Sequence, residues 1–149
     1  GASEGYYFSR EYFHSFLENK DFESKLLLAK LEGEIVAGAI FTVVGKIMQY
    51  HLAGTKQEFA RQAPMKLILD EARLLGNSLN LQYLHLGGGV GGEDNDSLFR
   101  FKSGFSKDFY QFTIWKWIID AEKYNELIKR RSLENSKSDF FPLYRISKG

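Results

Sequence analysis

The stretch SKLLLAKLEGEIVAGAIFTVVGKIMQYHLA, residues 24–53, decides the fold. It holds three runs rich in Leu, Ile and Val, which we predict to be strands over Ser24–Leu31, Glu34–Val44 and Ile47–Ala53. Only the dipeptides Glu32-Gly33 and Gly45-Lys46 separate them, and each contains the glycine that a tight turn favours. Strands joined by two-residue turns pair antiparallel, because a parallel pair needs a long crossover. The stretch therefore predicts a three-stranded antiparallel meander.

Helices flank this meander along the chain. Ahead of it, Ser9 is a good N-cap and apolar residues recur at helical spacing, so we predict a helix over Ser9–Lys20. Behind it, Pro64 opens a segment with one apolar helical face that ends at Gly76. The later elements are a strand over Leu81–Leu86, a helix from Asp96 or Ser97 to Lys102, a strand over Gln111–Ile119 that is apolar on both faces, a helix over Ala121–Arg131 and a short segment over Leu143–Ile146. This order predicts an α+β fold, a mixed sheet with an antiparallel N-terminal meander and flanking helices.

Composition limits the classes of function. At 149 residues the chain fits one domain with a substantial core, so we predict a single domain over residues 1–149. A net charge of +1 gives no field that would steer the protein to DNA or to an anionic membrane. The absence of cysteine excludes disulfides and thiolate catalysis and is compatible with a cytoplasmic compartment. The longest apolar run, Ile35–Val44, is about half the roughly 20 residues of a membrane helix, so we predict no membrane insertion.

A glycine-rich loop, Gly87–Gly92, follows one predicted strand. Its glycines match the dinucleotide-binding fingerprint, in which a helix begins inside the motif and its N–H groups meet a pyrophosphate. Here the acidic stretch Glu93–Asp96 stands where the phosphates would lie, and hairpins instead of a doubly wound sheet precede the loop. A nucleotide-dependent oxidoreductase is therefore the hypothesis with least support. We interpret the loop as a flexible or substrate-facing loop at a strand end.

Titratable residues on the predicted strands are candidates for proton transfer. Tyr50, His51 and His85 lie on strands, and each could act as a base or donate a hydrogen bond to a carbonyl. No two histidines have metal-ligand spacing on one element, and the chain has no cysteine, so we predict no metal site.

The segment Leu98–Phe105, with its Phe-Lys-x-x-Phe spacing, resembles a segment near the end of Fem-type aminoacyltransferase domains, which build peptidoglycan cross-bridges. Three further pieces resemble that family in the same order: the strand Tyr50–Thr55, the helix Pro64–Gly76 and the strand-to-glycine stretch Leu84–Gly88. The sequence departs from the family at Ser106-Lys107, where the family usually has glycine. The fold that the resemblance implies is that of the Gcn5-related N-acetyltransferases (GNAT), and the match covers about residues 24–120.

The resemblance implies transfer of an acyl or aminoacyl group to a small-molecule or peptide amine. The donor would be aminoacyl-tRNA, as in the Fem group, or acyl-coenzyme A, as in its single-domain acetyltransferase relatives. By resemblance, Lys102 binds phosphates and stabilises the transition state, and with Tyr50 and His85 it forms the predicted catalytic set. The donor is expected to bind at His51, Leu52, Ala53, Arg61, Gln62, Ala63, Met65 and Lys66. The residues expected to face the substrate are Gly87, Gly88, Phe101 and Phe105.

Two further hypotheses remain open. Fem-type enzymes carry two such domains in tandem, so this chain, which begins without methionine, is a candidate for the C-terminal half of a longer protein. It is also a candidate for a non-catalytic module that binds a partner, for instance a second copy of itself. The surroundings of Lys102 discriminate between them: an open cleft beside parting strands favours the enzyme, and an ion pair with Asp108 or Glu93 favours the module.

Overall fold

The structure, a computed structural model, describes residues 7–89 and 96–146. The chain divides into two compact units, residues 1–107 and residues 108–149. The elements of the first unit are α1 (Arg10–Leu17), β1 (Glu23–Leu31), β2 (Glu34–Val44), β3 (Ile47–Thr55), a 3-10 helix (Gln57–Gln62), α2 (Pro64–Ser78), β4 (Tyr83–His85) and α3 (Ser97–Lys102). The second unit contains α4 (Ala121–Arg130) and a 3-10 turn (Leu143–Arg145).

The predicted meander is confirmed. The sheet has the order β1-β2-β3-β4, and β1, β2 and β3 pair antiparallel in sequence. The short strand β4 joins the edge of β3 in parallel, from Ile47 opposite Tyr83 to Gln49 opposite His85. Because α2 connects β3 to β4, this parallel pair has the long helical crossover that such pairing requires. The sheet is therefore mixed, as the sequence predicts.

One face of the sheet packs on α2 and forms the core. Alternate residues of β2 point to this face, and Phe41 is fully buried there against Met48 of β3. On α2, Ile68, Leu69 and Ala72 fall on one side and are buried against the strands. Each large apolar side chain buried in this way stabilises the fold by about 1.5–3 kcal/mol. The opposite face of the sheet lies on the side of α1, which has no fully buried residue.

A β-bulge interrupts the pairing of β2 with β3. Ile40 lies opposite Leu52 and Phe41 lies opposite Tyr50, so His51 is the extra residue on β3. A bulge re-aims the side chains that follow it. Tyr50 packs against the core on the α2 face, whereas Leu52 shares the other face with Ile40. The bulge thus places Tyr50 and Leu52, two residues apart on β3, on opposite faces of the sheet, whereas a regular strand would place them on the same face.

The predicted strand over Gln111–Ile119 is wrong. The segment lies in the second unit, has no strand pairing, and is exposed, with Trp115 at 85% and Ile119 at 95% of full exposure. Its apolar residues on both faces indicated burial, but a strand forms only where a neighbouring strand completes its hydrogen bonds, and no described strand pairs with it. The helix that follows is confirmed as α4, capped by the Asp120 side chain, which accepts a hydrogen bond from the Lys123 N–H at 2.8 Å.

Candidate functional site

The pairing of β3 with β4 ends next to residues that the sequence places in the site. Their pairing ends at Gln49 and His85, while β3 continues to Thr55. From Tyr50 onward, β3 therefore has no β4 partner, and its backbone groups face an opening at the sheet edge. The bulge at His51 lies at the start of this opening. Bulges and unpaired strand ends are common at active sites because they expose backbone donors and acceptors.

Lys102 reaches this opening from the last turn of α3. Its ammonium Nζ donates a hydrogen bond to the Gly88 carbonyl at 2.6 Å and lies 5.6 Å from the centroid of the Tyr50 ring. Burial lowers the pKa of Lys102, and the nearby Asp96 carboxylate partly opposes that shift. The structure thus brings together three of the predicted residues, from β3, from the loop after β4 and from α3. A half-buried ammonium beside a strand opening is able to bind a phosphate or a developing oxyanion.

The glycines of the loop allow it to approach α3 closely. Gly87 has a φ of +71°, a conformation that other residues rarely adopt, and a side chain there would meet the Lys102 Nζ. A Cβ on Gly89 would clash with the carboxylate of Asp96 and lie 3.0 Å from the Phe99 Cβ. The Asp96 carboxylate caps α3 by accepting a hydrogen bond from the Phe99 N–H at 2.7 Å. In a dinucleotide site, a phosphate would occupy the position of this carboxylate at the start of the helix. The remaining loop residues, 90–95, lie outside the described residues.

Two titratable side chains flank the bulge on opposite faces. Burial raises the pKa of Tyr50, a phenol that is already protonated at neutral pH without this shift. The ring of His51 stacks on Phe16 of α1, with centroids 4.6 Å apart and planes 4° from parallel. The residue is exposed overall, but this partial burial lowers the pKa of His51 and favours its neutral form. A neutral imidazole can accept a proton, and a protonated phenol can donate one.

His85, which the sequence predicts as catalytic, lies elsewhere on the sheet edge. It is exposed at the end of β4, and its neighbour Leu84 packs toward the core. Among the described residues, no hydrogen bond joins His85 to Lys102 or Tyr50. His51 follows Tyr50 directly on β3 and stacks on α1, and His85 lies opposite Gln49 at the end of the β3–β4 pairing.

The predicted phosphate-binding segment begins α2. Arg61 and Gln62 are exposed at the end of the 3-10 helix, and Ala63 has a left-handed backbone with φ +51° and ψ +48°. Pro64 has no N–H, and the Lys66 N–H donates to the Ala63 carbonyl at 2.9 Å. This helix start therefore offers fewer free N–H groups than the sequence predicts. Arg61 and Lys66 still provide two exposed positive charges there.

The remaining predicted residues have mixed positions. Met65 and Phe101 are partly buried and pack against the core. Phe105 contacts the Phe101 ring edge-on at 5.4 Å and is 42% exposed. Leu52 and Ala53 line a cleft on the α1 face of the sheet.

That cleft, which the sequence analysis missed, has a volume of about 880 Å³. Its walls come from Phe8, from Phe13 and Leu17 of α1, and from the three strands of the meander. The strand residues that line the cleft on the face away from α2 include Leu26, Gly38, Ile40, Leu52 and Gly54. The alternation of β1 and β2 indicated a second apolar face, but only the folded chain shows that α1 leaves part of it open.

No protein-family profile matches the chain. No curated protein matches it either. Among solved structures, the chain is similar to an aminoglycoside acetyltransferase from an uncultured soil metagenomic sample. In the crystal structure with trehalose the TM-score is 0.58 at 14% identity over 79% of this chain and 80% of that one. In the structure with sisomicin the TM-score is 0.57 at 14% identity over 76% of each chain. This likeness confirms the acetyltransferase-like GNAT fold.

No group of three or more His, Asp and Glu side chains within residues 7–89 and 96–146 is arranged to hold a metal ion. None of the helices in the described part of the chain is long and apolar enough to span a membrane.

Proposed function

We propose that this chain is an acyltransferase that moves an acyl group from acyl-coenzyme A to a primary amine. The observation that carries the proposal is the convergence of Lys102, Tyr50 and Gly88 at the opening between β3 and β4. The similarity of fold to an acetyltransferase supports an acyl donor of this kind. The contacts of Lys102 with Gly88 and Tyr50 also support the enzyme, whereas Glu93, whose ion pair with Lys102 would favour the module, lies outside the described residues.

The reaction requires two proton transfers, and the two sides of the bulge provide groups for both. The amine nitrogen attacks the thioester carbonyl, the carbon–sulfur bond breaks, and the departing thiolate takes a proton. His51, neutral because burial lowers its pKa, is our candidate to accept the proton from the amine. Tyr50, whose phenol is protonated at neutral pH, is our candidate to donate one to the thiolate. The predicted role of His85 in proton transfer remains a second possibility for the base.

Lys102 has an electrostatic role in this proposal. Its ammonium is fixed by the Gly88 carbonyl and is partly removed from water. A charge that is already positioned and partly desolvated stabilises a developing negative charge without reorganisation. Arg61 and Lys66 at the start of α2 are the side chains that we expect to bind the donor phosphates, since few backbone N–H groups are free there.

Two finer hypotheses follow from the resemblance to Fem-type enzymes. One is an aminoacyl-tRNA donor with a cell-wall precursor as acceptor. The other is that the chain works only beside a second domain, or acts as a binding module. At the N-terminus of α2, Pro64 has no N–H and the Lys66 N–H is already hydrogen-bonded, so few backbone donors are left for a phosphate. Weak donor binding at this helix would support the binding module.

Calorimetric titration tests the proposal. Acetyl-coenzyme A and an aminoacylated acceptor-stem mimic are titrated separately into the wild-type chain, Lys102→Ala and Lys107→Ala. Lys107 is the matched control, since its Nζ also donates to a backbone carbonyl, that of Ser103, at 2.8 Å. We expect acetyl-coenzyme A to bind about tenfold or more weakly to Lys102→Ala, because we propose that the ammonium already hydrogen-bonds the donor's carbonyl oxygen in the ground state, and a charge-assisted hydrogen bond contributes about 1.5–3 kcal/mol. Binding of neither donor to the wild-type chain would contradict the proposal.

A further inference from the structure

The sheet carries an apolar cleft on its α1 face. We infer that the acceptor of the proposed reaction is a primary amine carried on an uncharged aromatic or aliphatic body of small-molecule size. This inference rests on the proposed function. The proposed acceptor differs from the aminoglycosides that the name of the structurally similar acetyltransferase would suggest by analogy.

The lining of the cleft is uncharged and mostly apolar. None of its thirteen described lining residues carries a charged side chain. Phe13, Leu17, Leu26, Ile40 and Leu52 give it aromatic and aliphatic walls. Its volume of about 880 Å³ lies within the range of about 300–1,000 Å³ that is usual for drug-sized ligands. An apolar body would gain from leaving water there, whereas a polar one would find few partners.

The number of positive charges on the ligand also matters for binding in this cleft. An aminoglycoside carries several ammonium groups, and each of them needs a carboxylate or another acceptor when it leaves water. The described walls offer no carboxylate, and the polar side chains among them, Tyr7, Thr55 and Gln57, are neutral. A polycation would therefore lose its hydration without gaining ion pairs. A single amine, by contrast, can remain at the mouth of the cleft while its apolar body is buried.

The cleft lies next to the candidate base on β3. Leu52 and Ala53 line it, and they directly follow His51 on β3. The bulge turns Leu52 to the α1 face, so the cleft begins next to the candidate base. In this proposal the acceptor's body fills the cleft and its amine end lies beside His51, where the donor carbonyl is proposed to lie.

The test uses two probes and three variants of the full chain. Phenylethylamine represents an amine on an apolar body, and sisomicin represents a polycation. Each is titrated into the isotope-labelled chain, and binding is read from amide chemical shifts. Leu26→Asp places a charge in the cleft, and Leu74→Asp is its matched control, because Leu26 is 50% exposed and Leu74, on α2, is 45% exposed. Gly54→Leu fills the cleft by a different route, since nothing lies within 4 Å of its added Cβ.

We expect phenylethylamine to bind the wild-type chain and Leu74→Asp equally, and to bind Leu26→Asp and Gly54→Leu about tenfold more weakly or not at all. Shifts should centre on β1 and on Leu52–Thr55. Tighter binding of sisomicin, no binding of phenylethylamine, or undiminished binding to both cleft variants would overturn the inference. Acetyl-coenzyme A binding, measured in parallel on the wild-type chain, reports on the proposed function separately, so the two can fail independently.

Discussion

Replacing Gly89 by alanine tests how closely the glycine loop approaches α3. A Cβ at this position would lie 2.7 Å from the Asp96 Cγ and 3.0 Å from the Phe99 Cβ. The Asp96 side chain would have to leave, and α3 would lose the cap that accepts the Phe99 N–H. Loss of an N-cap costs about 1 kcal/mol, and forcing a methyl group against packed atoms costs about 1–3 kcal/mol. We expect Gly89→Ala to lower the free energy of unfolding by about 2–4 kcal/mol.

Urea denaturation measures this change against two further variants. Gly88→Ala is the matched control, because nothing lies within 4 Å of its added Cβ, and its free energy of unfolding should stay within about 0.5 kcal/mol of the wild type. Asp96→Ala should cost about 1 kcal/mol through the lost cap. In the double variant the clashing carboxylate is gone, so its cost should be about 1 kcal/mol less than the sum of the two single costs. A Gly89→Ala cost no larger than that of Gly88→Ala, or strict additivity in the double variant, would refute the reasoning.

Two further predictions concern stability. Because burial lowers the pKa of His51 in the folded chain, the unfolded chain binds its proton more readily, and His51 should reduce stability as the pH falls below about 6.5. When the pH is lowered from about 7.5 to about 5.5, the free energy of unfolding of the wild-type chain should therefore fall more than that of His51→Gln, as measured by urea denaturation. Equal losses in the two proteins would contradict this prediction. Ala63→Gly should raise the free energy of unfolding by about 0.5–1 kcal/mol, because the left-handed backbone of Ala63 disfavours a side chain. The comparison is Ala60→Gly, within the 3-10 helix, and a gain no greater than that of Ala60→Gly would show that Ala63 carries no such strain.

Much of the sheet could be predicted from local sequence. The three meander strands follow from apolar runs separated by two-residue turns, and β2 has the predicted bounds, Glu34–Val44. The helix α2 follows from a single apolar face and a proline at its start, although it continues to Ser78 instead of ending at Gly76. These features depend on residues close together in the chain, which is why a pattern can predict them.

The site depended on contacts between distant residues. The bulge at His51 is a property of the register between β2 and β3, and no local pattern encodes it. The approach of Lys102 to Tyr50 joins residues on α3 and β3, and the resemblance to Fem-type domains suggested Lys102, Tyr50 and Gly88 as site residues but not the contacts between them. The wrong strand at Gln111–Ile119 has the same origin, since strand formation depends on a neighbour that composition does not reveal.

The central claim is that the opening between β3 and β4, with Lys102 beside it, binds an acyl donor. The most direct measurement is the affinity of acetyl-coenzyme A for the wild-type chain, Lys102→Ala and Lys107→Ala by calorimetry. The account predicts measurable binding to the wild type and to Lys107→Ala, and binding weaker by about tenfold or more to Lys102→Ala. Equal affinity for all three proteins would contradict the role of Lys102, and no binding to the wild-type chain would contradict the donor site itself.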